Sequence, residues 1–336
     1  MFAILAQGDA PVLTPIDPAP IPTPVPVGPN RGPADVGVAT DLAGFWDRTS
    51  PLALVGYGVL ILVALALTAI ALTTLWWMLH AWRSSAALTA TGFRTATARQ
   101  RTTTHSFTLM VPARHEEEVL AHTLERLVEQ SHPDVEIIAI VGHDDPGTEA
   151  VARSVEERFP ERVRVLVDDS VPKNKPKALN LALQTARGEI VGVFDAEDEV
   201  HPDLLRLVDE RFATTGADVV QGGVQLMNIE TSWWSLRNVL EYYFWFRSRL
   251  HFHAEQRFIP LGGNTVFLRT QQVRDAGGWD AECLAEDCEI GVRLSSQGAR
   301  VVVAYDPDVV TREETPGTLK SSTSSAPVGA RDSSRC

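Results

Sequence analysis

The sequence predicts an α/β protein built on a doubly wound, mostly parallel sheet and preceded by one membrane-crossing helix. Two observations predict it. No residue from Pro51 to Leu79 is charged, and from Ser106 onward short apolar runs alternate with stretches of helical periodicity. Composition narrows the class further. The 336 residues are 44% hydrophobic and 22% charged, the balance of a chain that folds. Acidic residues outnumber basic ones 43 to 30, a net charge of −13, which excludes a general nucleic-acid binder. Three cysteines (Cys283, Cys288, Cys336) without a CxxC pair or His/Cys cluster exclude a disulfide framework and structural zinc, and predict a reducing compartment.

Residues 1–50 form a proline-dense arm. Proline lacks the N–H that helix and sheet interiors need, so the arm is expected to be extended and disordered. Residues 51–82 follow as the membrane helix. About 29 uncharged residues exceed the roughly 20 that cross the hydrocarbon core, and Trp76, Trp77 and Trp82 stand at one end, where indoles favour the interface. Arg83, Arg94, Arg99 and Arg101 lie beyond that end, whereas Asp9, Asp17, Asp35, Asp41 and Asp47 precede the helix. The bias of basic residues to the inner side predicts a single-pass plasma-membrane protein with its N-terminus outside. Residues 83–105 become a basic linker, and 106–319 a cytoplasmic domain. The Ser-rich residues 320–336 have no periodicity and are expected to be a disordered tail.

Within the domain, FTLMVPA (107–113) reads as a strand. Leu120, Leu124, Leu127 and Val128 stripe a helix, and Val135–Val141 is a strand apolar on both faces. Val151, Val155 and Phe159 mark a second helix, Val163–Val167 a third strand, Lys177–Ala186 a helix ending at Arg187-Gly188, and Glu189–Phe194 a fourth strand. Parallel sheets of this kind bind ligands beyond the carboxyl ends of their strands.

Those ends carry charge. The second strand runs into GHDDPGT with Asp144 and Asp145, and the fourth into DAED with Asp195, Glu197 and Asp198. Clustered carboxylates repel unless a cation or water neutralises them, and hard divalent ions take oxygen ligands. The DAED segment therefore reads either as a metal site or as a solvated turn whose Asp198 and Glu199 cap a helix from Pro202. Lys173, Lys175 and Lys177 precede a helix and suit either phosphate or solvent. Glu286 and Asp287, ahead of another helix, suit a general base or an N-cap. The aromatic segment from Thr231 to Phe258, with Trp233, Trp234, Tyr242, Tyr243, Phe244, Trp245 and Phe246, fits an interfacial helix, core or a sugar-stacking platform. Its His251 and His253, two apart, do not share a helix face as metal ligands would.

In order, HEEE, the DD turn, KPKALN, DAED, FIPLGGNTVFLR, GGWD and AEDCEIGVRL resemble the family 2 glycosyltransferases, in the membrane-bound branch of cellulose, hyaluronan and poly-N-acetylglucosamine synthases. The resemblance runs from about Phe107 to Leu319. It implies a GT-A fold, a nucleotide-diphospho-sugar donor with a UDP-sugar foremost, a divalent metal (Mg2+ or Mn2+) and a carbohydrate or lipid-linked acceptor. It implies that Asp195 and Glu197 are the metal pair and that Asp144, Asp145, Lys177 and Asp195 bind the nucleotide. Asp287 would be the general base, with Glu286, Gly263, Asn264 and Trp279 on the acceptor side. One base opposite a leaving diphosphate gives a single displacement with inversion.

The membrane synthases continue with a QxxRW motif and further spans, whereas here Lys320 runs into the Ser-rich tail. The expectation is a C-terminally truncated relative, whose alternative role is a catalytically weak or inactive nucleotide-sugar-binding membrane protein.

Overall fold

A computed structural model of the chain describes residues 50–83, 103–256 and 259–313. The proline arm, most of the linker and the Ser-rich tail lie outside the described residues. The chain divides into two units, Met1–Ala64 and Leu65–Cys336. The described part of the first is residues 50–64, the opening of helix α1 (Pro51–Arg83).

Helix α1 is apolar on every side. Its stretch Ala53–His80 is the one segment among the described residues long and apolar enough to cross a membrane. The side chains are also exposed, Leu62 at 68% and Ile70 at 63%. A core helix buries such residues, whereas α1 leaves them uncovered by the described residues.

The second unit contains a seven-stranded sheet in the order β3-β2-β1-β4-β7-β5-β8. Its strands are β1 (Phe107–Ala113), β2 (Val135–Gly142), β3 (Val163–Asp168), β4 (Ile190–Val193), β5 (Val219–Gly222), β7 (Val266–Arg269) and β8 (Val301–Ala304). The pairs β1–β2, β2–β3, β1–β4 and β5–β8 are parallel, whereas β7 runs antiparallel to both β4 and β5. The expected mostly parallel sheet is thus present, with one reversed strand. A second, two-stranded sheet pairs β6 (Val224–Leu226) with β9 (Thr311–Glu313).

Alternation along the strands divides the interior into two apolar layers. Leu109, Val111, Ile137 and Ala139 pack with Leu120, Leu124 and Leu127 of α2 (Leu120–Val128) and with Val155 of α3 (Pro146–Arg158). The residues between them, Met110, Ile138 and Ile140, point the other way, onto Ala178, Leu179 and Ala182 of α4 (Lys175–Thr185). Successive strand side chains face opposite sides, so a strand buried on both faces must be apolar throughout. Each buried leucine-sized side chain contributes roughly 1.5–3 kcal/mol.

Two buried carboxylates interrupt this interior. Glu136 is the second residue of β2, where it accepts from Thr108 Oγ1 (2.9 Å), Arg187 Nε (2.8 Å) and Arg164 (3.0 Å). Asp209, in α5 (Leu204–Thr215), accepts from the Thr104 N–H (2.9 Å), the His105 N–H (3.2 Å) and His105 Nδ1 (2.7 Å). His132 Nε2 stands 3.6 Å away. Burial alone would raise the Asp209 pKa, but His132, His105 and the Thr104 N–H outweigh it and bring it down to about 2. Asp209 thereby ties the entry to β1 onto α5.

A carboxylate depressed on folding contributes stability above its unfolded pKa, and that contribution is lost as pH falls through the folded value. Asp209 should contribute on the order of 2 kcal/mol at neutral pH, declining below pH about 4 and gone near pH about 2. Thermal melts of wild type and Asp209→Asn between pH 6 and pH 2.5 should converge as the pH drops, the wild type melting higher only at the upper end.

Candidate functional site

Four chain segments meet where β1, β2, β3 and β4 end. After β1 comes Arg114-His115-Glu116, with His115 at φ 59°. After β2 comes the DD turn, and the structure separates its two acids. Asp145 is buried and caps α3, accepting from the Thr148 N–H (3.3 Å) and the His115 N–H (2.6 Å). Burial pushes its pKa up, but these bonds outweigh it and hold the group ionised. Each of its oxygens holds one loop, so Asp145, expected to bind the nucleotide, serves in the structure as a clamp between two loops. Asp144 is the open member, 2.9 Å from Arg114 and 4.0 Å from Lys173 Nζ.

Beside Asp144 opens a cleft of about 160 Å³, lined by Ala113, Arg114, Gly142, Asp168, Lys173 and Asn174 among others. Lys173 Nζ donates to the Asp168 carbonyl (2.7 Å) and lies 2.8 Å from His143 Nδ1. Asn174 caps α4 through the Lys177 N–H (3.0 Å). Of the three lysines, Lys175 enters the site: its Nζ meets Asp195 Oδ1 at 2.6 Å and the Gly263 carbonyl at 2.9 Å, with Glu286 3.9 Å away. Lys177 does not. It lies two residues on, away from that face of the helix, and its Nζ is turned onto the Pro172 carbonyl (2.8 Å). Burial alone would lower the Lys175 pKa, yet Asp195, Glu286 and Asp287 raise it, so the group stays charged.

The DAED turn is built from below. Asp198 is fully buried and accepts the Asp195 N–H (2.8 Å) and Asn264 Nδ2 (2.9 Å). Asn264 also reaches Glu313 of β9. Burial together with the charges of Glu313 and Asp195 pushes the Asp198 carboxyl well above its ordinary range. The turn is pinned to β9 by paired backbone bonds between Glu199 and Arg312 (3.0 and 2.9 Å). The following helix, α5, has Asp203 at its N-cap. Asp198 is therefore the turn's internal prop and not a solvated helix cap, which leaves Asp195 and Glu197 at the surface.

Asn264 is corrected too. It is buried at 6% exposure and props the acidic turn, whereas an acceptor contact would need it at the surface. Trp279 is likewise buried at 3% exposure, packed in the second apolar layer, with its N–H and carbonyl clamped by Asn180 (both 2.8 Å). Gly263 does lie in the site. Its missing Cβ leaves room for Asp287 Oδ2, which would stand 3.3 Å from a side chain there. The helix that carries Asp287, α9 (Glu286–Ser296), follows the short α8 (Thr270–Asp275) and has Ala285 at its N-cap. Glu286 and Asp287 thus occupy the first turn, where the helix dipole favours acids, and are not the cap. Burial and the nearby Asp287 and Asp195 carboxylates raise the Glu286 pKa against the opposing charge of Lys175.

Two residues, Glu116 and Glu313, escaped the sequence reading as individuals. Burial, with Glu197 and Asp195, raises the Glu116 pKa. Glu313 sits among the same acids, and Tyr242 of the aromatic segment is raised by burial and by Glu313, Asp195 and Asp287. Glu116 was signalled by HEEE, Glu313 by nothing local. Among the described residues no three His, Cys, Asp or Glu side chains converge on one point. Hard oxygen donors in excess over a single inserted ammonium fit a divalent ion that takes one or two protein carboxylates and completes its shell with substrate oxygens and water.

The aromatic segment divides between core and exposed surface. In α6 (Trp233–Phe244), Trp233 is exposed at 72%. A π turn (Trp245–Arg249) then shifts the helical phase, so Phe246 and Leu250 enter the core. Helix α7 (Leu250–Glu255) meets the end of α1: Phe252 lies 5.1 Å from the Trp77 ring and 5.4 Å from Trp76, and Ser248 Oγ donates to the Trp77 carbonyl (2.9 Å).

Residues 87–326 match the family model described as "Glycosyltransferase like family 2". The chain is 27% identical over 212 residues to a beta-monoglucosyldiacylglycerol synthase of Synechocystis, covering 60% of this chain and 42% of that protein. It is 25% identical over 230 residues to the probable glycosyltransferase YdaM of Bacillus subtilis, covering 63% and 51%. It thus spans about half or less of these curated relatives. Among solved structures, the mannosyltransferase PcManGT of Pyrobaculum calidifontis, in complex with GDP-Man and Mn2+, superposes with a TM-score of 0.54 at 22% identity, over 76% of this chain and 68% of that one. The likeness is one of fold, and it agrees with the GT-A expectation.

The approach of α9 to the site depends on Gly291. A Cβ there would stand 2.8 Å from the Ile259 carbonyl oxygen and 3.0 Å from the Leu261 nitrogen. Gly291→Ala should gain about 1 kcal/mol of helix propensity and lose about 1–3 kcal/mol to overpacking against backbone. The expected net result is a lower Tm, read by thermal melting.

Proposed function

This chain belongs to the glycosyltransferase-like family 2, and from that premise we propose that it is a membrane-anchored transferase. It moves a hexose from a nucleotide-diphospho-sugar to the hydroxyl of a sugar or lipid-linked acceptor, with inversion. The observation that carries this reading is the acidic turn at the end of β4, with Lys175 inserted into it and Asp287 across Gly263.

Asp195 and Glu197 would hold the divalent ion, which when bound neutralises charge developing on the departing diphosphate. The cleft at Arg114, Gly142, Asp168 and Lys173 suits the nucleoside, with Asp144 at its edge. Lys175 and Lys173 offer cations to the diphosphate, and Lys175 exchanges its Asp195 partner for phosphate as the donor docks. The acceptor oxygen attacks the anomeric carbon, and the bond to the diphosphate oxygen breaks with its electron pair. Asp287 takes the acceptor's proton, because a sugar hydroxyl is too weak a nucleophile to attack while it keeps that proton. Attack opposite the leaving group inverts the anomeric configuration. The acceptor class draws support from the Synechocystis relative, named for a glucolipid product, and from the contact between α7 and the end of α1. The exposed apolar surface of α1 supports anchoring in a membrane.

The test is UDP or GDP release from nucleotide sugars by the purified chain with Mn2+, with and without EDTA. Asp287→Asn should lower kcat by about 10²–10⁴-fold with donor affinity nearly unchanged, and Asp195→Asn should abolish metal-dependent nucleotide binding. Wild-type turnover in Asp287→Asn would remove the base assignment, and an NMR product of retained configuration would reject the single displacement.

A further inference from the structure

A second cavity, of about 790 Å³, lies away from the acidic turn, between α5, α7 and the C-terminal end of α9. Its wall carries Arg211, Arg300 and His251, with Glu255 as the acidic residue among those lining it, and Ser295 at its floor. Asp218, whose carboxylate accepts the Arg300 N–H (2.8 Å), lies near its rim. Two polar atoms here lack a hydrogen-bond partner among the described residues: Ser295 Oγ, on a residue 7% exposed, and His251 Nε2. A buried hydroxyl without a partner is unfavourable. Beside guanidinium groups, such a hydroxyl is a donor that a bound anion satisfies.

The position of the cavity says which anion. His251, Ala254 and Glu255 of its wall come from α7, the same short helix whose Phe252 packs on Trp76 and Trp77 at the end of α1. His80 of α1 is near enough to act electrostatically on His251. If α1 crosses a bilayer, the premise this inference shares with the reading above, that end of the helix stands at headgroup level. The cavity then opens beside the headgroups. Its walls mix cation and apolar surface, with Val301, Val302 and Val303 along one side.

We propose that this cavity binds the phosphate headgroup of an anionic phospholipid, with Arg211, Arg300 and Ser295 as its donors and His251 in its wall. It is distinct from the transfer site, and it would fix the domain's height and orientation on the membrane.

The experiment uses the full chain in uncharged detergent, presented with equal amounts of phosphatidylglycerol and phosphatidylcholine, with retained lipid counted by native mass spectrometry. Phosphatidylglycerol should be retained at least about fivefold over phosphatidylcholine, the worth of one basic residue near an anionic surface. Arg300→Gln, at an exposed residue, should bring the ratio close to one without lowering Tm. Ser295→Ala, which keeps every charge, should reduce it in part. Equal retention of the two lipids in wild type overturns the proposal, as does an unchanged ratio in both variants. Displacement of the lipid by an equal concentration of inorganic phosphate identifies free phosphate as the occupant and overturns it as well. Metal-dependent nucleotide binding measured on the same samples separates failure here from failure of the transferase reading.

Discussion

The structure depends on concentrated negative charge at one edge of the sheet. Asp195 acts on Glu116, Glu286 and Glu313 there, Glu197 acts on Glu116 and Glu313, and Asp287 acts on Glu286; within the described residues Lys175 is the ammonium that enters among them, 2.6 Å from Asp195. Carboxylates this close raise each other's pKa unless a cation intervenes. The fold tolerates the cluster because burial and the charges of Glu313 and Asp195 push its deepest member, Asp198, well above the carboxylate range, while the Asp195 N–H and Asn264 hold it in place. What is left near the surface is a site with an unmet demand for positive charge.

The reversed strand explains how acids from distant stretches meet. Strands β1 and β4 are parallel and both end at the site, whereas β7 runs antiparallel to β4 and so begins at that edge. Its first residues therefore lie beside the end of β4, where the Thr265 N–H donates to the Val193 carbonyl (2.7 Å). Gly263 and Asn264 arrive beside the acidic turn as a result. Thr265 is held at φ 52° to make this entry, and His115, the other residue with its side chain at positive φ among the described ones, sits at the end of β1. Strain of this kind gathers where the surrounding structure over-determines a site.

The strands and helices of the first half were legible because they obey two simple periods. The run 107–113 became β1 without a change of boundary, and Leu120, Leu124 and Leu127 are all buried as their spacing predicts. Glu136 was read as part of a fully apolar strand, and it remains there only because Arg164 and Arg187 come to it from elsewhere. The site was legible as motifs but not as side-chain directions. Lys175 and Lys177 are two residues apart, and rotation about the helix decides which one faces Asp195. Asp144 and Asp145 are adjacent, and the capping bond to Thr148 decides which one is spent.

Chemistry that is local in the chain was determined by the sequence alone: an apolar helix, a two-period sheet, carboxylates where strands end, and a family pattern in their order. The tertiary structure decided what depends on groups far apart in sequence. It buried Asn264 and Trp279, brought Glu313 across from β9, placed Asp287 over Gly263, and set the π turn that divides the aromatic segment between core and surface. The reason is that burial and charge are summed over neighbours in space. A residue's own stretch of chain fixes its element and leaves its neighbours open.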